Sequence, residues 1–215
     1  GILMLNPGSN GDGRPQVDDE YWQKFARTYD FALMATFLTD NKHPNMMIED
    51  YIQVSKGSGD AILGAIDHFA TASGHEELSY APFLLWGMSA GGELNHEIAA
   101  WIPERVIAFV VNKGGYYYSA VPIEATRQTP GLYSIGLDDL PSRNTMIKGM
   151  YLTNRRAGAL CVEPQQRRAL RGVRGCGCAR SSWALNARAP AGCRAHGGGG
   201  GGGVRSEACA AAKAR

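Results

Sequence analysis

Pro82-Phe83-Leu84-Leu85-Trp86-Gly87-Met88-Ser89-Ala90-Gly91-Gly92 is an apolar run that ends in Gly-x-Ser-x-Gly and opens into a helical stretch. Phe83 to Trp86 reads as a buried parallel strand, and Glu93 to Trp101 as an amphipathic helix. Strand, sharp turn and helix in that order form a nucleophile elbow, which holds a serine in a strained conformation with its hydroxyl above the sheet. Glycines two residues before and two after the serine are required, because side chains there would collide with the neighbouring strand and helix.

Strands and helices alternate outward from the elbow. Ile2 to Leu5 is a short apolar strand, followed by the loop Asn6-Pro7-Gly8-Ser9-Asn10-Gly11-Asp12-Gly13. Asp19 and Glu20 lead into a helix with Trp22, Phe25, Ala26 and Tyr29 at helical spacing. Phe31 to Leu38 reads as a second buried strand, and a polar loop through Lys42, His43, Pro44 and Asn45 follows. Ser58 is placed to cap a helix whose stripe is Ile62, Leu63, Ile66 and Phe69, ending at Gly74. Val106 to Val111 and Leu132 to Ile135 are further strands. Ser142 starts a helix with Met146, Met150 and Leu152 on its apolar face, and Ala159 to Val162 is a last strand. Continuous apolar strands alternating with helices imply an α/β fold, a mostly parallel sheet covered on both faces.

The 215 residues suffice for one such domain, spanning 1–163. The net charge of +2 hides an asymmetry: residues 1–160 hold 12 Lys and Arg against 18 Asp and Glu, whereas residues 161–215 hold 10 against 2. All five cysteines lie in that last part, so no disulfide framework is implied for the body. No apolar run reaches transmembrane length, and no membrane partner is expected. The chain starts at Gly1 inside an apolar run, which reads as an incomplete N-terminus.

Residues 2–163 resemble the α/β-hydrolase superfamily, within it the esterase and polyhydroxybutyrate-depolymerase-like group. The resemblance rests on the loop Asn6 to Gly11, the elbow Gly87 to Gly91 and the turn Gly136-Leu137-Asp138-Asp139, in that chain order. It implies a serine hydrolase that cleaves a small-molecule or polymeric ester through an acyl-enzyme, without a cofactor. A peptidase on the same scaffold, or a non-catalytic or inactive member, are the alternatives. A secreted or periplasmic location goes with the resemblance. The first two strands usual for the fold have no counterpart, which would leave Phe31 to Leu38 as an exposed apolar edge.

Within that resemblance Ser89 is the nucleophile, and Ala90 supplies one oxyanion donor through its N–H at a helix N-terminus. The second donor is expected at Ser9, with Asn10 as alternative. Gly-x-x-Asp spacing selects Asp139 as the acid that orients the base, with Asp138 next. A histidine should follow the last strand, and none stands between Gln165 and Arg171. His196, the only histidine beyond residue 139, satisfies the chain order Ser, Asp, His and is the candidate for the base, although nothing in the sequence around it suggests a fixed position. His96, seven residues along the helix from Ser89, would lie about 10 Å further along and point away from the chemistry. Tyr116, Tyr117 and Tyr118, after Asn112-Lys113-Gly114-Gly115, stand where such sheets bind ligands, to line a pocket or to pack.

After Pro164 the pattern stops. Residues 164–215 are largely Ala, Arg, Gly and Cys, with seven consecutive glycines from Gly197 to Gly203. Such a composition reads as a disordered basic tail or as a frame-shifted end, since Ala, Arg, Gly and Pro are what a GC-rich gene yields out of frame. Nucleic-acid binding through this tail is not expected. Cys176-Gly177-Cys178 lacks the spacing and partner pair of a zinc site, so no metal is expected.

Overall fold

The computed structural model describes residues 1–41, 48–163 and the backbone of 165–166. Its centre is a seven-stranded, all-parallel sheet: β1 (Ile2–Asn6), β2 (Ala32–Ala35), β3 (Phe83–Met88), β4 (Val106–Asn112), β5 (Gly131–Gly136), β6 (Cys161–Val162) and β7 (Gln165–Gln166). The strands run in the order β2-β1-β3-β4-β5-β6, and β7 pairs with β5 beyond the end of β6. Strand β3, which leads into Ser89, is therefore central, with Ile2↔Phe83 and Leu5↔Trp86 in register on one side and Trp86↔Val110 on the other.

Both faces of the sheet are buried, and the strand period of two divides the side chains between them. Ile2, Met4, Phe83, Leu85, Phe109 and Val111 point into the larger core, which holds α3 (Ser58–Ser73), α4 (Ala90–Trp101) and α6 (Pro141–Arg156). Leu3, Leu5, Leu33, Ala35 and Trp86 point into a smaller core under α1 (Arg14–Val17) and α2 (Glu20–Thr28). There Trp22 packs on Trp86 with ring centroids 5.1 Å apart. Ile107 and Val162, further along the sheet, remain exposed.

Several expectations need correction. The strand expected over Phe31 to Leu38 is confined to Ala32–Ala35, and it is an edge: β1 is its only partner among the described residues. A shallow apolar cleft lined by Ile2, Met34, Ile66, Phe69 and Leu78 among others opens beside it. Ser58 does not cap α3. Gly57, at φ +114°, takes that position, and the Ser58 hydroxyl donates to the Tyr51 carbonyl instead. Gly74 does close the helix, at φ +72°. On α6 the core face is Ile147, Met150 and Asn154, while Met146 and Leu152 are exposed.

The helix after the elbow is not amphipathic, and it begins at Ala90 rather than Glu93. Every residue from Ala90 to Ala99 is buried, including Glu93, Asn95, His96 and Glu97. With Gly91 and Gly92 in its first turn, α4 owes little to intrinsic propensity and much to the packing around it. Each of its buried polar side chains has a hydrogen-bond partner, as burial demands.

Candidate active site at the carboxyl edge of the sheet

Ser89 joins β3 to α4 with φ +53° and ψ −125°, a left-handed conformation that a residue with a Cβ adopts only under constraint. Backbone bonds on both sides supply the constraint. Ser89 N–H donates to the carbonyl of Asn112 at the end of β4 (2.8 Å), and Ser89 C=O accepts from Gly92 N–H (2.8 Å) and Glu93 N–H (3.1 Å). The flanking glycines are obligatory. A Cβ on Gly87 would overlap the Gly91 carbonyl, and one on Gly91 would overlap the carbonyls of Asn6 and Pro7. Beneath the turn, Asn95 accepts from Asn6 Nδ2 and donates to the Val110 carbonyl (2.9 Å), and Thr36 Oγ1 donates to Asn6 Oδ1 (2.7 Å). This buried polar chain pins α4 to the strands on either side of β3. The pattern of apolar residues carries no trace of it, although Asn6 and Asn95 both stand out as polar residues in buried runs.

The loop after β1 lies against the elbow. A side-chain carbon on Gly8 would sit 3.6 Å from Ser89 Cβ. Gly11 N–H donates to Gly8 C=O (2.8 Å), closing a four-residue turn with Asn10 at φ +49°, a position that favours Asn or Gly. Such a turn leaves the N–H groups of its two central residues, Ser9 and Asn10, outside its own hydrogen bond. Asn10 N–H donates to the Tyr51 hydroxyl (3.3 Å), and Asn10 Oδ1 accepts from Asp40 N–H. Ala90, the first residue of α4, is buried, and its N–H belongs to the helical turn without intrahelical partners.

Three adjacent strands lead at their carboxyl ends into neighbouring residues: β3 into Ser89, β4 into Lys113 and β5 into the turn that carries Asp139. Lys113 is also left-handed, at φ +62°. Its Cε and Asp139 Cβ lie 3.1 and 3.2 Å from the point where a Cβ on Gly136 would be, so the lysine stem crosses toward the acid turn. Asp139, just ahead of α6, accepts from Leu140 N–H (2.8 Å) and is held by Arg143 Nη1 (2.9 Å). Asp138 is exposed.

The base is not among these groups. His196 and His43 lie outside the described residues. Of the other histidines, His68 is exposed on α3 and His75 bonds Glu77 (2.8 Å). His96 is fully buried between the Tyr133 hydroxyl (2.8 Å) and the Ser119 carbonyl (3.0 Å). The carbonyl only accepts, so Nε2 carries the hydrogen and Nδ1 accepts from Tyr133. Burial pushes its pKa down, which keeps the ring neutral.

His96 belongs to a clamp that motif reading did not find. Glu93, His96 and Glu97 occupy one stripe of α4 and hold the backbone of the segment after β4. Glu93 Oε1 accepts from Gly115 N–H (2.7 Å) and Tyr116 N–H (3.1 Å); Glu97 Oε1 accepts from Tyr118 N–H (2.9 Å) and Ser119 N–H (2.8 Å). Burial pushes Glu93 up to about 7, with the Glu49 charge adding, against the pull of the two N–H groups and of Arg143. Of the three tyrosines, Tyr117 packs on His96 at 5.0 Å and donates to the Gly114 carbonyl (2.8 Å), whereas Tyr118 is exposed. Two acids four residues apart, Glu93 and Glu97, ahead of a Gly-Gly-Tyr-Tyr-Tyr segment were the available signal.

Among the described residues no three His, Cys, Asp or Glu side chains are close enough to hold a metal ion, and no helix is long and apolar enough to cross a membrane.

No family model and no curated protein sequence matches the chain. Solved structures do. A protein of unknown function from Agrobacterium tumefaciens is 16% identical, with a TM-score of 0.51 over 77% of this chain and 80% of that one. A point variant of SOBER1 from Arabidopsis thaliana is 15% identical, with a TM-score of 0.50 over 77% and 88%. A phospholipase/carboxylesterase from Dyadobacter fermentans is 15% identical, with a TM-score of 0.49 over 78% and 81%. Likeness at this identity speaks to fold alone.

Proposed function

The chain has the α/β-hydrolase fold, and on that scaffold we propose that it is a serine hydrolase acting on an ester through an acyl-enzyme at Ser89. The observation that carries the reading is the backbone of Ser89, left-handed at φ +53° between a central parallel strand and a buried helix. Strain of this kind costs on the order of 1–3 kcal/mol and persists where the surroundings impose it, most often at functional sites.

In the reaction, Ser89 Oγ attacks the ester carbonyl carbon while its proton passes to a base. The carbonyl oxygen becomes an oxyanion facing Ala90 N–H and Ser9 N–H, both positioned by backbone rather than by rotatable side chains. The C–O bond to the alcohol breaks, the alcohol leaves with the proton, and water releases the acid by the same steps in reverse. Asp139 is the acid that orients the base. The base is assigned to His196, the histidine that follows Asp139 in the chain.

One observation favours a second reading, a scaffold that binds without turnover: the Asp139 carboxylate is already engaged by Arg143. A fluorophosphonate probe and a p-nitrophenyl ester assay test the two. Labelling at Ser89 with turnover that Ser89→Ala abolishes supports the enzyme. Folded protein that gives neither supports the binding scaffold.

A further inference from the structure

We propose that the Tyr51 phenol is a third donor to the oxyanion, a catalytic residue that none of the sequence motifs contains. The inference rests on the serine-hydrolase reading of Ser89. Tyr51 lies in a short 3₁₀ turn (Asp50–Ile52) whose Ile52 is fully buried, and its own ring packs against the larger core. The backbone is fastened from the other side by the Ser58 hydroxyl on the Tyr51 carbonyl. The residue is thus held at both ends, and its hydroxyl is delivered to the loop that carries the oxyanion donors.

At that loop the hydroxyl takes one hydrogen bond and keeps one to give. Asn10 N–H donates to Tyr51 Oη (3.3 Å), which commits the oxygen as acceptor. Among the described residues the phenol hydrogen has no acceptor of its own. Asn10 adjoins Ser9, and Gly8 on the other side of Ser9 packs on Ser89. The uncommitted O–H therefore stands at the same turn as the Ser9 N–H. A donor that is itself accepting a hydrogen bond is polarised and donates more strongly.

The surroundings keep the proton on the oxygen. Burial raises the Tyr51 pKa; the Asn10 hydrogen bond draws it down, but the nearby carboxylates of Glu49, Glu93 and Asp40 add to the rise and the net shift is upward. Tyr51 is half-buried and its hydroxyl lies at the exposed side of the loop, so the uncommitted O–H can reach an acceptor brought in by a substrate, and an oxyanion would be one. The arrangement also bears on the choice of backbone donor: Asn10 N–H is occupied by Tyr51, which leaves Ser9 N–H for the substrate.

The test is the rate of fluorophosphonate labelling at Ser89, which needs the oxyanion donors but no turnover. Tyr51→Phe keeps the ring in the core and is expected to slow labelling about 100-fold, the scale for loss of one oxyanion donor. In ester turnover, kcat should fall with KM little changed. Site-specific 3-fluorotyrosine at position 51 is the second arm. Fluorine makes the phenol a stronger donor and a weaker acceptor, so labelling should quicken if Tyr51 donates, and slow if it only pins Asn10. A wild-type labelling rate in Tyr51→Phe, or a fluorotyrosine protein no faster than wild type, overturns the proposal and leaves the nucleophile standing. No labelling of Ser89 in the wild-type protein overturns the nucleophile and the proposal with it.

Discussion

Arg143 reaches back one helical turn to Asp139, with Nη1 2.9 Å from Oδ1 and 3.2 Å from Oδ2. The pair is partly sheltered, at 27% and 16% side-chain exposure, and the arginine stem packs on Gly115. The arginine therefore competes for the carboxylate that a histidine base would need. It also ties the acid turn to the clamped segment after β4, because Gly115 N–H is bonded to Glu93.

Arg143→Met retains an unbranched stem against Gly115 and releases the carboxylate. With Asp139 as the catalytic acid, kcat/KM for a p-nitrophenyl ester should rise about 5-fold, the equivalent of roughly 1 kcal/mol for such a pair. Stability should fall by no more than about 1 kcal/mol, read from urea unfolding. A fall in kcat/KM would mean that Arg143 aims the acid rather than restraining it.

Glu93 makes stability depend on pH in a direction opposite to an ordinary surface carboxylate. Its folded pKa of about 7 lies above the unsettled-chain value of 4.5, so the folded state prefers the protonated form. The contribution is fully present below pH 4.5 and is lost as pH rises through 7, worth roughly 3 kcal/mol in all. Glu93→Gln keeps an oxygen for Gly115 and Tyr116 but cannot ionise. Its unfolding free energy should exceed that of the wild type at pH 8 and should lack the decline between pH 5 and 8. Parallel pH profiles for the two proteins would show that Glu93 does not titrate in this range.

The sheet was legible because parallel strands buried on both faces leave apolar runs that no surface helix would carry, as in Ile2 to Leu5 and Phe83 to Trp86. The elbow was legible because its Gly-x-Ser-x-Gly motif is contiguous in the chain, even though the carbonyls that exclude a side chain at Gly91 belong to Asn6 and Pro7. What escaped was governed by contacts distant in sequence. Glu93 and Glu97 read as the polar face of an amphipathic helix, since nothing local announces that residues 115–119 will cover them and supply N–H donors. Tyr51 gave no sign because its partner, Asn10, is 41 residues away. Ser58 failed as a cap for a local reason: Gly57 adopts the left-handed geometry, which turns the serine into the helix and its hydroxyl toward Tyr51.

Two glycine replacements should separate close approach from helix propensity. Gly91→Ala drives a methyl into the carbonyls of Asn6 and Pro7 and should cost about 4 kcal/mol or prevent folding. Gly64, in the exposed middle of α3, has nothing within 4 Å of its missing Cβ, so Gly64→Ala should stabilise by about 0.5–1 kcal/mol. Thermal and urea unfolding of both variants reads the contrast. A tolerated Gly91→Ala would mean that the elbow and the loop after β1 are not in contact.

Strain at Ser89 can be measured apart from its chemistry. Ser89→Ala removes Oγ but keeps a Cβ at φ +53°, so it should abolish labelling and turnover with little change in stability. Ser89→Gly removes the Cβ as well and relieves strain on the order of 1–3 kcal/mol. Glycine also enlarges the unfolded ensemble, which takes back about 0.4–1 kcal/mol. The glycine variant should therefore be the most stable of the three, by about 1 kcal/mol in urea unfolding, and as inactive as the alanine. If the alanine protein equals or exceeds it, the left-handed serine costs the fold nothing, and the conformation on which the nucleophile assignment rests loses its force.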